Sequence, residues 1–459
     1  MKNDLLEIHH GKALKGAYAL SQDPDQVMSA LFIASMARGR TEFRGVGKPT
    51  PLIAEFIEIL HHTVTDITFK ENLWELEGQG IHGIKNTGEV FHVSDYDYNV
   101  ILMLAHFSRK PEQPWFLRGT PERLEYVKDM FLSLLPCQVH VKNDDLLELI
   151  FEPCSIPTEP VKSANQKPVP LMLKIFWQIQ ALTRQKEICF EEKTSHQDTF
   201  FRMLKHFGLP LDIQITGEEL SDMEKRLARM RGIKPERKTV TLFQPVHAIS
   251  AQSVICFGDF RQAAVLALAA TLIPGSDITL ENVFLNSSRS GFLNALRRMG
   301  ADVEVKKRSE KQNDISGTLR VKYTRRLVGR RFNDEITMGM FDEIPLLATA
   351  AAFAEGETIL RLSESQVKKD HSLLEALMAN LREAGVDIGI YEEGLVIRGR
   401  EECDSSSFDG SFAPLFFFAS LVLASAAHGT SSLPICERAI TFYPGLLEQL
   451  LPGASDAVE

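Results

Sequence analysis

Six times along this chain a helix that is apolar on every face leads through a polar or glycine turn into a short β-branched strand. The segments are residues 27–46, 98–119, 169–192, 261–283, 344–362 and 413–435. RQAAVLALAATLIPGSDITLENV (261–283) is the cleanest copy. A helix with no polar face has to be covered on all sides, so each of these six belongs in an interior. A second helix with apolar residues at i, i+3, i+4 and i+7 follows each of them, then a break and an alternating strand. FFRMLKHFGLPLDIQ (200–214), FLNALRRMGADVEV (292–305) and LLEALMANLREAGVDIGI (373–390) show this best, with weaker echoes at 51–69, 124–141 and 446–454. Glycine after the last helical turn suits a left-handed cap. Helix and strand alternate in any α/β protein, but the fixed order of buried then amphipathic helix points to true repetition, a βαβαββ-type unit of about 70–90 residues.

The 459 residues allow two to four domains, and a composition of 44% hydrophobic and 24% charged residues excludes disordered and fibrous classes. A net charge of -10 argues against general nucleic-acid binding. In the charged stretch 218–238, Lys225, Arg226, Arg229 and Arg231 alternate with Asp222 and Glu224, which suits a solvated helix face. The cysteines Cys137, Cys154, Cys189, Cys256, Cys403 and Cys436 are far apart and offer no zinc spacing, so no metal is expected. The first residues carry acids and no apolar run, which does not suit a signal peptide, and a reduced, cytoplasmic setting is expected. Residues 412–427 are too short for a span and contain Pro414, so a buried core helix is expected there. Adjacent His9-His10 and His61-His62 point in different directions, and no role follows from them.

GDFRQAAVLALAATLIPGSDITLENVFLNSSRSG (258–291), followed in order by LRRMGADVEV, DEIPLLATAAAFAEGETILRL, SQVKKD and EEGLVIRG, resembles the carboxy-terminal half of the EPSP synthase (3-phosphoshikimate 1-carboxyvinyltransferase) family. LKGAYALSQDPDQVMSALFIASMARGRTEFRGV resembles that family's opening segment, with weaker similarity between. The resemblance implies an α/β fold of two domains, each an inside-out α/β barrel of three repeat units. One domain would be discontinuous, residues 1–20 plus 250–459, and the other inserted, residues 21–249, with hinges near 20–24 and 244–253. It also implies a transferase of the shikimate pathway and aromatic amino acid biosynthesis that uses no cofactor. Its expected ligand is a small molecule in the interdomain cleft, on which the domains close, with no nucleic acid or membrane partner and a monomeric state.

Carboxyvinyl transfer protonates the methylene of phosphoenolpyruvate, lets a hydroxyl attack the cationic centre and expels phosphate. The chemistry needs an acid and a base, with lysines and arginines to neutralise two phosphates and two carboxylates. By resemblance Asp342 and Glu343 in DEIP match the site carboxylates, and Lys368 in SQVKKD matches the site lysine. Asn286 and Arg289 match structural positions, and Gly258-Asp259 matches the turn before a buried helix, where Arg261-Gln262 replace two serines.

The departures concern cations. Gln22-Asp23-Pro24-Asp25 stands where the family has Gly-Asp-Lys-Ser, and Ser29 stands at an arginine position. Ser94-Asp95-Tyr96-Asp97-Tyr98 replaces an Asn-Ala-Gly-Thr anion loop, and an Arg-Pro-Met segment is missing unless Arg118 or Arg123 substitutes. Gln166 is the echo of a Ser-Ser-Gln phosphate site, and 193–196 replace Ser-Arg-Pro-Tyr. Asp409-Gly410-Ser411 replaces Asp-His-Arg, Thr441 a lysine and Ser372 an arginine. Each charge-assisted contact is worth about 1.5–3 kcal/mol, so the losses weaken anion binding by powers of ten. Arg118, Arg123, Gln166 and Lys369 remain as candidate binding residues. Two readings stay open: a carboxyvinyltransferase with weak or altered activity, and a non-catalytic or repurposed relative acting as a binding or partner subunit.

Overall fold

The computed structural model describes residues 5–64, 66–111, 113–162, 169–192, 199–217, 237–286, 290–333, 336–337, 340, 342–362, 367, 371–391 and 394–452. Contacts divide the chain into a discontinuous unit, Met1–Asp23 with Phe257–Glu459, and an inserted unit, Pro24–Cys256.

The inserted unit carries helices α1 (Pro24–Ser35), α2 (Pro51–Thr63), α3 (Asp97–Phe107), α4 (Pro121–Met130), α5 (Leu171–Arg184) and α6 (Thr199–His206). Its three sheets share one plan, in which a parallel pair is followed by two antiparallel steps. In the second, Val90–His92 runs parallel to Trp115–Arg118, which pairs antiparallel with Leu146–Phe151 and through it with Cys137–Asn143. In the third the same order is Val161–Lys162, Ile188–Glu192, Arg237–Phe243 and Leu211–Gly217. In the first, Ala37–Arg44, Leu73–Gln79 and Ile67–Lys70 take their parallel partners, Ile249–Ser250 and Ser253–Ile255, from the far end of the unit, which closes the ring. α1 is buried over its whole length and α3 over nine residues, from Asn99 to Phe107, so helices fill the centre.

The discontinuous unit repeats the plan with α7 (Phe260–Leu272), α8 (Gly291–Arg298), α9 (Ile344–Ala352), α10 (His371–Glu383), α11 (Pro414–Ala426), α12 (Glu437–Phe442) and α13 (Leu446–Leu450). Lys15–Tyr18 runs parallel to Asp277–Phe284, followed antiparallel by Asp314–Lys322 and Asp302–Lys311. Arg331–Phe332, Glu357–Leu360, Gly394–Arg398 and Asp387–Tyr391 repeat that order. The third sheet is reduced to Ser431–Pro434, antiparallel to Leu5–Ile8 and bridged in parallel at Ser407. α7 and α9 are buried throughout, and α11 from Leu415 to Ser425. The apolar run at 412–427 is thus a core helix, and no helix among the described residues is long and apolar enough to cross a membrane. Burying each large side chain here contributes about 1.5–3 kcal/mol.

Two glycines mark matching places in the repeats. A Cβ on Gly78 would collide with the carbonyls of Ala34 and Ala37 at the end of α1, and one on Gly399 with those of Ala351 and Ala354 at the end of α9. In both units, a strand leaves its sheet by passing directly over the end of a central helix, and only glycine fits.

Candidate functional site

In the inserted unit, α1 and α3 bring their first turns to one corner. Pro24 opens α1, where its missing N–H costs nothing, and Asp25 follows in the first turn; Asp97 opens α3. The Tyr96 hydroxyl donates a short hydrogen bond to the Asp25 carboxylate. Ser29 donates to the Asp25 carbonyl at 2.5 Å, so the Tyr98 hydroxyl, 2.6 Å away, donates to Ser29 Oγ. Arg123 gives Nε and Nη2 to the Ser94 carbonyl at 3.0 and 2.6 Å and Nη1 to Asp97 Oδ1 at 3.0 Å. Its guanidinium lies 5.0 Å from the Tyr126 ring centre, and Tyr126 donates to Asp97 Oδ2 at 2.7 Å. Thr120 caps α4 by accepting from the Arg123 N–H, which fixes the start of the helix that presents Arg123. Partial desolvation holds Glu55 above the usual carboxylate range, hydrogen bonds from Ser94 and Asn99 oppose this, and Asp95 and Glu58 add to it.

Helix N-termini attract anions, because their first N–H groups lack partners within the helix and carry partial positive charge. At this corner the chain supplies the anions itself, as Asp25 and Asp97. An incoming phosphate would meet carboxylates and phenols, and Arg123 would have to leave two oxygen partners to reach it.

A second cluster lies in the discontinuous unit. Asp259 caps α7 by accepting from the Arg261 N–H, and the Arg261 side chain, itself buried, brings Nε to 3.4 Å from Asp342 Oδ2. Glu343 is buried immediately before α9 and its carbonyl accepts from Leu347 N in the first turn. Tyr443, just after α12, is buried beside them. Burial pushes its phenol well above the ordinary range, Arg261 opposes the shift, and Asp259, Asp342 and Glu343 reinforce it. Gln262 Oε1 accepts from Ser21 N at 3.1 Å, tying the amino-terminal segment to the start of α7. The group offers two expected carboxylates, one arginine and a phenol that stays protonated at neutral pH.

Gln166, Lys368 and Lys369 lie outside the described residues, as does Arg289. Asn286 is buried. Arg118 ends the strand Trp115–Arg118 with Nε 3.4 Å from Asp145 Oδ2, a partner that Arg123 does not share. Asp409 forms a local turn with Ser411 and is held to Asn380 through its backbone N–H and carbonyl. Burial pushes the thiols of Cys137 to about 11 and Cys403 to about 12, which leaves them poor nucleophiles at neutral pH. Glu55, Tyr126 and Tyr443 were not singled out by the sequence, where nothing marks an isolated acid or phenol as part of a cluster.

The family model described as EPSP synthase (3-phosphoshikimate 1-carboxyvinyltransferase) matches residues 180–430, more than half of the chain. The chain belongs to the EPSP synthase family. Among proteins similar to this family member is the 3-phosphoshikimate 1-carboxyvinyltransferase of Synechococcus sp. (strain CC9605), 28% identical over 460 residues, covering 98% of this chain and 97% of the relative. The corresponding protein of Synechococcus sp. (strain WH7803) is 27% identical, with 97% of each chain covered. Of solved structures, EPSP synthase from Acinetobacter baumannii matches with a TM-score of 0.75 at 18% identity, over 99% of this chain and 98% of that one. The enolpyruvyl transferase NikO from Streptomyces tendae matches with 0.63 at 15% identity, over 97% and 96%. The fold is therefore the two-domain inside-out α/β architecture of EPSP synthases and enolpyruvyl transferases, with six repeat units, three in each domain.

Proposed function

We propose that this EPSP synthase family member retains the enolpyruvyl transferase scaffold but does not carry out standard transfer from phosphoenolpyruvate to shikimate 3-phosphate. The observation that carries this reading is the pairing of Asp25 with Tyr96 and of Ser29 with Tyr98. By the family resemblance a lysine precedes Asp25 and an arginine stands at Ser29; in their place are a proline and a hydroxyl already bonded to a phenol. Arg123, a candidate replacement cation, is engaged by the Ser94 carbonyl and Asp97. The other candidates, Asp342, Glu343 and Lys368 for proton transfer and Gln166, Arg118 and Lys369 for binding, keep the chemistry of the family only in part. In this reading Asp342 is balanced by Arg261, and Glu343 with the neutral phenol of Tyr443 forms a corner better suited to a neutral or cationic group than to a phosphate. The protein then acts on another substrate or serves as a binding subunit.

Isothermal titration with shikimate 3-phosphate and phosphoenolpyruvate, separately and together, with phosphate release followed on the same sample, tests the proposal. Neither binding nor release is expected. Micromolar binding with turnover would overturn it.

A further inference from the structure

Apart from both clusters, the inserted unit has an open groove of about 510 Å³ between the outer face of α2 and the strand Ile67–Lys70. Ile57, Ile67 and Phe69 supply its apolar wall, and Glu58, His61 and Asp66 its polar side. We propose that this groove is a binding site for a primary amine carried on an aromatic body.

Three observations carry the inference. The Phe69 ring packs edge-on to Trp74 at 5.6 Å, which fixes it in place, yet 49% of its surface remains exposed. A large aromatic held open at the mouth of a groove offers apolar area and a π-face to a ligand. The two acids differ. Asp66 is bonded to His61 Nδ1, whereas Glu58, one turn before His61 on α2, makes no hydrogen bond or ion pair with any described residue. Glu55 lies one turn earlier on α2, so a second carboxylate and not a base stands on its amino-terminal side. An apolar wall beside an uncompensated carboxylate selects a cation with an apolar body, and the volume lies within the usual range for small-molecule sites. An anionic ligand would be repelled by Glu58, and a purely apolar one would leave that charge unused.

The probe is 2-phenylethylamine, titrated into the full chain by calorimetry and by protein-observed NMR, with 2-phenylethanol as its neutral counterpart. The amine is expected to bind with a Kd on the order of 1 mM or below, at least fivefold tighter than the alcohol, with the difference shrinking as salt is raised. Glu58→Gln, on the surface of α2, should bring the amine down to the alcohol's affinity, and Phe69→Ala should weaken both ligands; circular dichroism melts would check that each variant is folded. Equal binding of amine and alcohol, no binding of the amine, or an unchanged affinity in folded Glu58→Gln would overturn the assignment. Glu58 reaches the corner cluster only through its charge on Glu55, and neither Glu58 nor Phe69 makes any of the pairings on which the proposed function rests, so either proposal can fail alone.

Discussion

The two units share a plan but differ in what they bury. In the discontinuous unit the central helices α7, α9 and α11 are almost purely apolar along their length; of its buried charges, Asp259, Arg261 and Glu343 sit at helix starts, Asp314 at a strand start and Asp23 at the end of the amino-terminal segment. The inserted unit carries ionisable groups in its interior. Lys174 on α5 and Glu192 are both 2% exposed and 2.7 Å apart, and Glu192 also accepts from Val169 N. His106 near the end of α3 lies 2.8 Å from Thr63 Oγ1 and 3.0 Å from Arg109, whose guanidinium also donates to the carbonyls of Gly80 and Ile81. Because Arg109 can only donate, His106 accepts at Nδ1 and carries its proton on Nε2 toward Thr63. A repeat can therefore keep its backbone plan while replacing apolar burial by paired charges, provided every such group has a partner. The cost is that each partner becomes indispensable.

That contrast can be broken experimentally, because Trp74, Trp115 and Trp177 all lie in the inserted unit and their fluorescence reports its unfolding alone. The largest effect expected is for Lys174→Met, which leaves Glu192 buried without its cation and should cost about 3–5 kcal/mol in the tryptophan-detected urea transition. Hydrogen exchange in α7, α9 and α11 should be unchanged. Next comes Pro24→Lys with Ser29→Arg, which reinstates two cations at the α1 corner and should tighten phosphate or phosphoenolpyruvate binding by about tenfold per cation in titration calorimetry. No gain would mean that the missing cations at this corner do not account for a loss of anion binding.

A smaller effect depends on pH. Burial, reinforced by Arg109, holds the His106 pKa well below its ordinary value, so the folded chain leaves it neutral while the unfolded chain takes up a proton below about pH 6.5. The tryptophan-detected stability should be fully present above that pH and fall as the solution is acidified, and His106→Gln should flatten the slope. The smallest is Tyr126→Phe, which removes one hydrogen bond to Asp97 and should lower stability by about 1 kcal/mol. It should also leave Arg123 less firmly held.

The fold was legible where burial is continuous. Runs such as RQAAVLALAATL and PLFFFASLVLASA can satisfy themselves only in an interior, and they became α7 and α11. α5, with Lys174, Gln178 and Gln180 in its buried set, is a weaker signal, because a polar residue in a one-dimensional pattern reads as surface unless its partner is known. The same limit governs the clusters. Asp342 and Glu343 could be singled out by motif and Arg123 only as a substitute for a missing one, but that Arg123 is held by Ser94 and Asp97 could not, since those partners lie 29 and 26 residues away.

The sequence by itself determined the repeated α/β plan, the family and the absence of cations at Pro24 and Ser29, because periodicity and residue type are local properties that no folding is needed to read. Only the tertiary structure decided what stands there instead. Tyr96 meets Asp25 across 71 residues and Tyr98 meets Ser29 across 69, and Arg261 finds Asp342 on another helix start. Such meetings depend on how buried helices pack end to end, and the free energy of a charge or phenol is set by the groups that packing places beside it.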